Sequence, residues 1–226
     1  MGRPDMKKQT RWYFSCSWKL FGFLALVAFV FVLLTVQGFL AVTSPSGRGV
    51  LVVEAWVPQE SLADSVRVFQ SGKYQYLVLV GRGMWQADSA QRVGLAYADS
   101  AEAKLAVPDV HASKVVEIPV GPARNRTYAG AVAFRNWLRT SGAKIRSVDV
   151  FTQGVHARKS WILFEHALGD SYEIGVIAGP EHSYDPRLWL ISPRGLWIVS
   201  RNVAGYLYFK AAIVLEDHGR KILAED

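Results

Sequence analysis

His156, Arg158 and Lys159 stand in the stretch VDVFTQGVHARKSWILFEHALG, Val148 to Gly169, where an apolar, β-branched run gives way to a helical pattern closed by Gly169. A helix N-terminus already carries partial positive charge, so a cation placed there costs about 0.3–1 kcal/mol in a free helix. A bound anion reverses that sign, because backbone N–H groups and cations then act on it together. Arg124 and Arg126 repeat the arrangement before a second helical stretch, beside Asn125, Thr127 and Tyr128. Phosphate or carboxylate is therefore the ligand class these positions suit. His156 adds a ring whose ordinary pKa near 6.5 fits general acid or base work at neutral pH.

Three more polar loops follow apolar runs. They hold Glu54 and Trp56, then Gly81, Arg82 and Gly83 with Asp88 and Ser89, and finally Glu181, His182 and Tyr184. Gly154 lies in the His156 loop itself. Each residue also has an ordinary structural explanation. Arg124 and Arg126 can pair with Glu54, Asp88 or Glu181, and His156 can be a cap or a packed ring. Gly81-Arg82-Gly83 fits neither the dinucleotide fingerprint nor the P-loop, and no nucleophile-elbow, zincin or EF-hand string occurs. The only cysteine is Cys16, so residues 43–226 offer no disulfide, Cys-based zinc site or Cys nucleophile. No metal site is expected, and the pattern leaves any cofactor unknown.

The elements that must position these loops alternate. Short apolar runs at Gly49–Val53, Tyr76–Val80, Lys114–Val120, Ser147–Thr152 and Tyr172–Ala178 predict strands. Helical patterns cover Pro58–Gly72, about 88–106, Thr127–Gly142 and the stretch after His156. Strands alternating with helices imply βαβ units, and continuously apolar strands imply a sheet buried on both faces. The expected fold is α/β: a three-layer, Rossmann-like domain with a mostly parallel sheet. In such a sheet ligands bind beyond the carboxyl ends of the strands, which is where all five polar loops fall.

Leu20 to Val42 is a run of 23 residues without a charge. As a helix it would be roughly 34 Å long, enough to cross a hydrocarbon core of about 30 Å. A cleaved signal peptide is the competing reading, but its apolar region is usually shorter and the Ala41-x-Thr43 match to a cleavage site is weak. Residues 1–19 carry five cations against Asp5, so this flank is expected to stay cytoplasmic, with the remainder outside a bacterial inner membrane. From Thr43 onward 21 cations face 18 acids, without a Lys/Arg-rich run, so no nucleic-acid partner is expected. The expected organisation is a basic flank (1–19), one transmembrane anchor (20–42), a linker (43–49), the α/β domain (50–215) and a tail (216–226). Gly195–Leu215 is apolar enough to suggest a second span, but Arg201 and Asn202 near its middle favour a helix packed on the domain.

Four motifs in register, VVEAWVPQESL, GRGM, NRTYAGA and GVHARKSWILFEHALGD, give the chain over residues 48–212 a resemblance to the YdcF-like family, which includes the SanA and ElyC envelope proteins. The resemblance implies a Rossmann-like domain behind one membrane helix and a place in peptidoglycan assembly, lipid-carrier metabolism or the permeability barrier. It nominates Glu54, Trp56, Arg126, Thr127, Tyr128, His156, Arg158 and Tyr184 as site residues. The chain departs from the family's pattern at Ala55 and Arg82, where glycine is usual, and at Asn202, near which an acidic residue is expected.

The residue pattern and the resemblance together imply an anchored envelope protein that binds a phosphorylated small molecule or lipid carrier. Hydrolysis or transfer at phosphate would use Arg126 and Arg158 as a clamp, His156 as acid or base, and Glu54 to orient His156 or a water. A non-catalytic scaffold and a nucleotide or S-adenosylmethionine binder are the alternatives.

Overall fold

The computed structural model describes residues 6–81 and 114–217. Arg82, Gly83, Asp88, Ser89, the helix expected over 88–106 and most of the 216–226 tail lie outside the described residues. The chain divides into two compact units, Met1–Gly38 and Phe39–Asp226.

The first unit consists of most of helix α1, Met6–Leu40. Its Trp18–Leu40 stretch is 23 residues long with a mean hydropathy of 2.6, long and apolar enough to span a membrane. Phe21, Phe23 and Leu34 are all exposed, as on a helix that is apolar all round. The Thr35 hydroxyl donates back to the Phe31 carbonyl at 2.8 Å, so its polar group is satisfied within the helix.

The second unit runs β1 (Arg48–Glu54), α2 (Gln59–Ser71), β2 (Lys73–Val80), β3 (Val115–Ile118), α3 (Arg126–Thr140), β4 (Ser147–Gln153), α4 (Ala157–Leu168), β5 (Glu173–Gly179) and α5 (Pro193–Asp217). Single 3₁₀ turns at Gly154–His156 and Pro186–Leu188 precede α4 and α5. The five strands form one sheet in the order β3-β2-β1-β4-β5, and every pairing is parallel. Side chains alternate across it. Val50, Val52, Val78, Val80, Val148 and Val150 face a core closed by Phe134, Leu138 and Phe164 of α3 and α4. Leu51, Val53, Leu77, Leu79, Phe151 and Ile177 face a second core closed by Leu62, Val66 and Phe69 of α2. Burial of each such side chain contributes about 1.5–3 kcal/mol, and two-sided burial explains the unbroken apolar runs. The α/β, three-layer, Rossmann-like expectation holds.

Two expectations change in detail. The third strand is shorter than Lys114–Val120, spanning only Val115–Ile118. The 43–49 segment is not a free linker. Ser44 pairs antiparallel with Val176 on the β5 edge, and the Ala178 N–H donates to Thr43 Oγ1 at 3.0 Å. Asp149, fully buried on β4, accepts from the Ser46 N–H at 2.8 Å, Ser46 Oγ at 2.9 Å, the Gly47 N–H at 2.8 Å and the Tyr74 hydroxyl at 2.6 Å. Room for this fastening comes from Gly175, where a Cβ would overlap Asp149 Oδ1. The composition of 43–49 reads as linker because its partner lies about a hundred residues away.

Candidate functional site

In the observed strand order β1 and β4 are neighbours whose chains continue to opposite sides of the sheet, the switch point where α/β sheets open a crevice. Glu54 is the last residue of β1, and His156 ends the turn that follows β4. Gly154 makes that turn possible: its φ is +46°, and a Cβ would stand 3.0 Å from Glu181 Oε2.

Glu54 is 3% exposed. Its Oε2 accepts from Ser160 Oγ at 2.7 Å and lies 4.0 Å from His156 Nε2. Its Oε1, also buried, has no hydrogen-bond partner among the described residues, and neither does the buried Thr152 hydroxyl. The Trp56 ring meets the imidazole edge-on, with centroids 4.5 Å apart. Thr127, at the start of α3, puts its hydroxyl 3.4 Å from His156 Nε2. The other ring nitrogen, Nδ1, is 3.0 Å from Asn202 Oδ1. Asn202 donates its amide N–H to the Ile198 carbonyl at 2.9 Å, which fixes which end of the carboxamide faces the ring. Nδ1 therefore carries the hydrogen, and Nε2 presents a lone pair toward Thr127 and Glu54.

Charge in the site follows from burial. Desolvation pushes His156 down to about 4; Glu54 and the Asn202 hydrogen bond oppose this, while Lys159 and Arg201 add to it. Burial also pushes the Glu54 carboxyl up, but His156, Ser160, Thr152 and Trp56 together carry it below the usual carboxylate range. Thr152 and Trp56 act there as nearby dipoles, since neither closes a good hydrogen bond with Oε1. At neutral pH the pair is a carboxylate beside a neutral imidazole. Burial lowers the Lys159 ammonium to about 8; Glu54 opposes this, and Arg201 and Arg126 reinforce it. Among the described residues none of these three cations has a carboxylate within 4.0 Å.

The structure thus brings together Glu54, Trp56, Arg126, Thr127, His156 and Lys159 from the sequence reading. Gly81 closes β2 at φ +115°, with its N–H donating to the Ile118 carbonyl at 3.0 Å. Arg158 is engaged elsewhere. Its Nε donates to the Phe39 carbonyl at 2.9 Å and its guanidinium lies 4.3 Å from the centre of the Phe39 ring. Helical spacing accounts for this: 156, 159 and 160 share a face, and 158 points roughly the opposite way. Tyr128 similarly turns from Thr127 toward His166, with ring centroids 5.9 Å apart. Tyr184 packs beside Gly195 at the start of α5, and Arg124 is exposed. Glu181 bonds Gln153 and Ser183 instead of an arginine.

Asn202, Arg201, Ser160 and Thr152 were not nominated from sequence. Asn202 and Arg201 did carry a signal, two adjacent polar residues inside an apolar helix; it counted against a second span, and Asn202 also marked a departure from the family's pattern, but neither residue was tied to His156. Comparison with family models, curated proteins and solved structures found no match for this chain.

Proposed function

We propose that this is a membrane-anchored protein that binds a phosphorylated ligand at the β1/β4 switch point and hydrolyses or transfers at phosphate, as an envelope protein of the YdcF-like type. The observation that carries this reading is the gathering of Lys159, Arg126 and Arg201 beside a neutral His156, with no carboxylate within 4.0 Å of any of the three among the described residues. A partly buried Lys159 held near two exposed arginines costs free energy that an anion offsets. The clamp is accordingly assigned to Lys159 with the two arginines, in place of Arg158. His156 Nε2, unprotonated and aligned through Asn202, takes the proton of an attacking water or hydroxyl as that oxygen bonds to phosphorus. The bond from phosphorus to the ester oxygen breaks, the Lys159 ammonium stabilises the oxygen that leaves, and solvent supplies its proton. Glu54 stabilises the imidazolium so formed, and its unused Oε1 is an acceptor for that water. The family resemblance supports an inner-membrane anchor with an extracytoplasmic domain, and a lipid carrier or small phosphate ester as substrate.

The test is the melting temperature of the full-length protein in detergent with inorganic phosphate, nucleotides and short prenyl phosphates. A ligand at a hundred times its Kd stabilises by about 2.7 kcal/mol, several degrees for a domain of this size. We expect that shift with one phosphate class, lost in Lys159→Met and kept in Arg158→Ala. It should also fade above about pH 8, as the Lys159 ammonium deprotonates. A flat response to every phosphate, with all variants folded, would sink the reading. A shift without turnover, unchanged in His156→Gln, would favour a binding protein instead.

A further inference from the structure

Helix α5 is apolar on two faces. Val199, Asn202, Phe209 and Ala212 turn inward and are buried, while Trp197, Ala204 and Tyr208 form an exposed stripe at helical spacing. The turn before it adds Ile191, 78% exposed, to Trp197 at 66% and Leu207 at 59%. A contiguous apolar face of this kind is rare on a free soluble surface. Pro186 to Leu215 also carries four cations, Arg187, Arg194, Arg201 and Lys210, and no acidic residue. Tryptophan, tyrosine and long cationic side chains over aliphatic residues are the composition of a water–lipid boundary.

We propose that this outward face of α5 and its preceding turn lies in the headgroup region of an anionic bilayer, giving the second unit its own contact with the membrane surface. Chain continuity supports a lipid occupant. Phe39, near the end of the membrane-capable Trp18–Leu40 stretch of α1, packs edge-on against Tyr206 of α5 with ring centroids 5.4 Å apart. Ser44 is already bonded to β5, so no free linker separates the domain from residue 40. Charge argues against a second copy, because symmetric pairing would set the exposed Arg187 and Arg194 of this face against their own kind. Insertion across the bilayer is disfavoured by the exposed Arg201 in mid-helix and by a mean hydropathy of 1.2, against 2.6 for the α1 stretch. Seating to about 5–10 Å, at the boundary of headgroup and acyl chain, suits both.

The single native cysteine makes the test direct. In a Cys16→Ser background, Ile191→Cys, Trp197→Cys and, as a control on the exposed end of α3, Thr140→Cys are labelled with a fluorophore in the full chain. The protein is reconstituted in nanodiscs of phosphatidylcholine with phosphatidylglycerol. Quenchers are placed shallow or deep on the lipid chains, or dissolved as iodide. We expect the shallow quencher to reduce emission at 191 and 197 roughly two-fold more than at 140, as for seating at the headgroup boundary. Replacing the anionic lipid, or Arg187→Gln with Arg194→Gln, should reduce that difference. Stronger quenching by the deep probe would mean a span and overturn the proposal. So would iodide quenching at 191 and 197 equal to that at 140. Protection from both lipid probes and iodide that grows with the number of chains per disc would assign the face to a second copy and overturn it equally.

Discussion

Asn202 determines what His156 can do. By accepting from Nδ1 with an oxygen whose orientation Ile198 fixes, it leaves Nε2 as the basic atom of a buried, neutral ring. A carboxylate there would favour the imidazolium, so Asn202→Asp should raise the His156 pKa from about 4 toward its ordinary value, read from the ring protons by NMR. The depressed value has a consequence for stability. Between about pH 6.5 and 4 the unfolded chain takes up a proton at this ring and the folded chain does not. Stability is therefore complete above about 6.5 and falls as pH drops toward 4. Glu54, held below its usual range, acts in the same direction at the acid end of that window. Denaturant midpoints measured from pH 7 to 4 should decline in the wild type and decline less in His156→Gln.

At the scale of elements, glycine placement decides whether strands can approach. Gly49 sits at φ +79°, at the register shift between β1 and β2, and a Cβ there would overlap the Ser147 carbonyl of β4. Gly49→Ala should cost roughly 2–4 kcal/mol from strain and overpacking together, seen as a lower urea midpoint. The strands themselves were legible because two-sided burial writes unbroken apolar runs. Their order was not, since periodicity carries no pairing information. The site was legible in part for a similar reason. Glu54 and His156 stand at strand ends, where the loop rule finds them. Separating Lys159 from Arg158 needs the helical phase set at the 3₁₀ turn. Finding Asn202 needs a contact across 46 positions.

For the whole molecule, Asp149 is the fastening between the segment after α1 and the sheet, at the end of the strands away from the site. Asp149→Ala would strand the Ser46 and Gly47 N–H groups and the Tyr74 hydroxyl that it satisfies, each an unmet donor costing about 1–3 kcal/mol if it stays buried. The expected outcome is a loss of several kcal/mol together with new protease cleavage within 43–49, resolved by mass spectrometry.

The Asn202 contact also orders events in time. Synthesis runs from the N-terminus, so all five strands, Glu54 and His156 have been made before α5 has. Until α5 docks, the imidazole is free to take either tautomer, and Lys159 lacks Gly205, along which its stem packs. A nascent or C-terminally clipped chain thus owns a complete sheet and an idle histidine. The tautomer that the proposed chemistry needs is set only when α5 docks, after the strands of the sheet have been made.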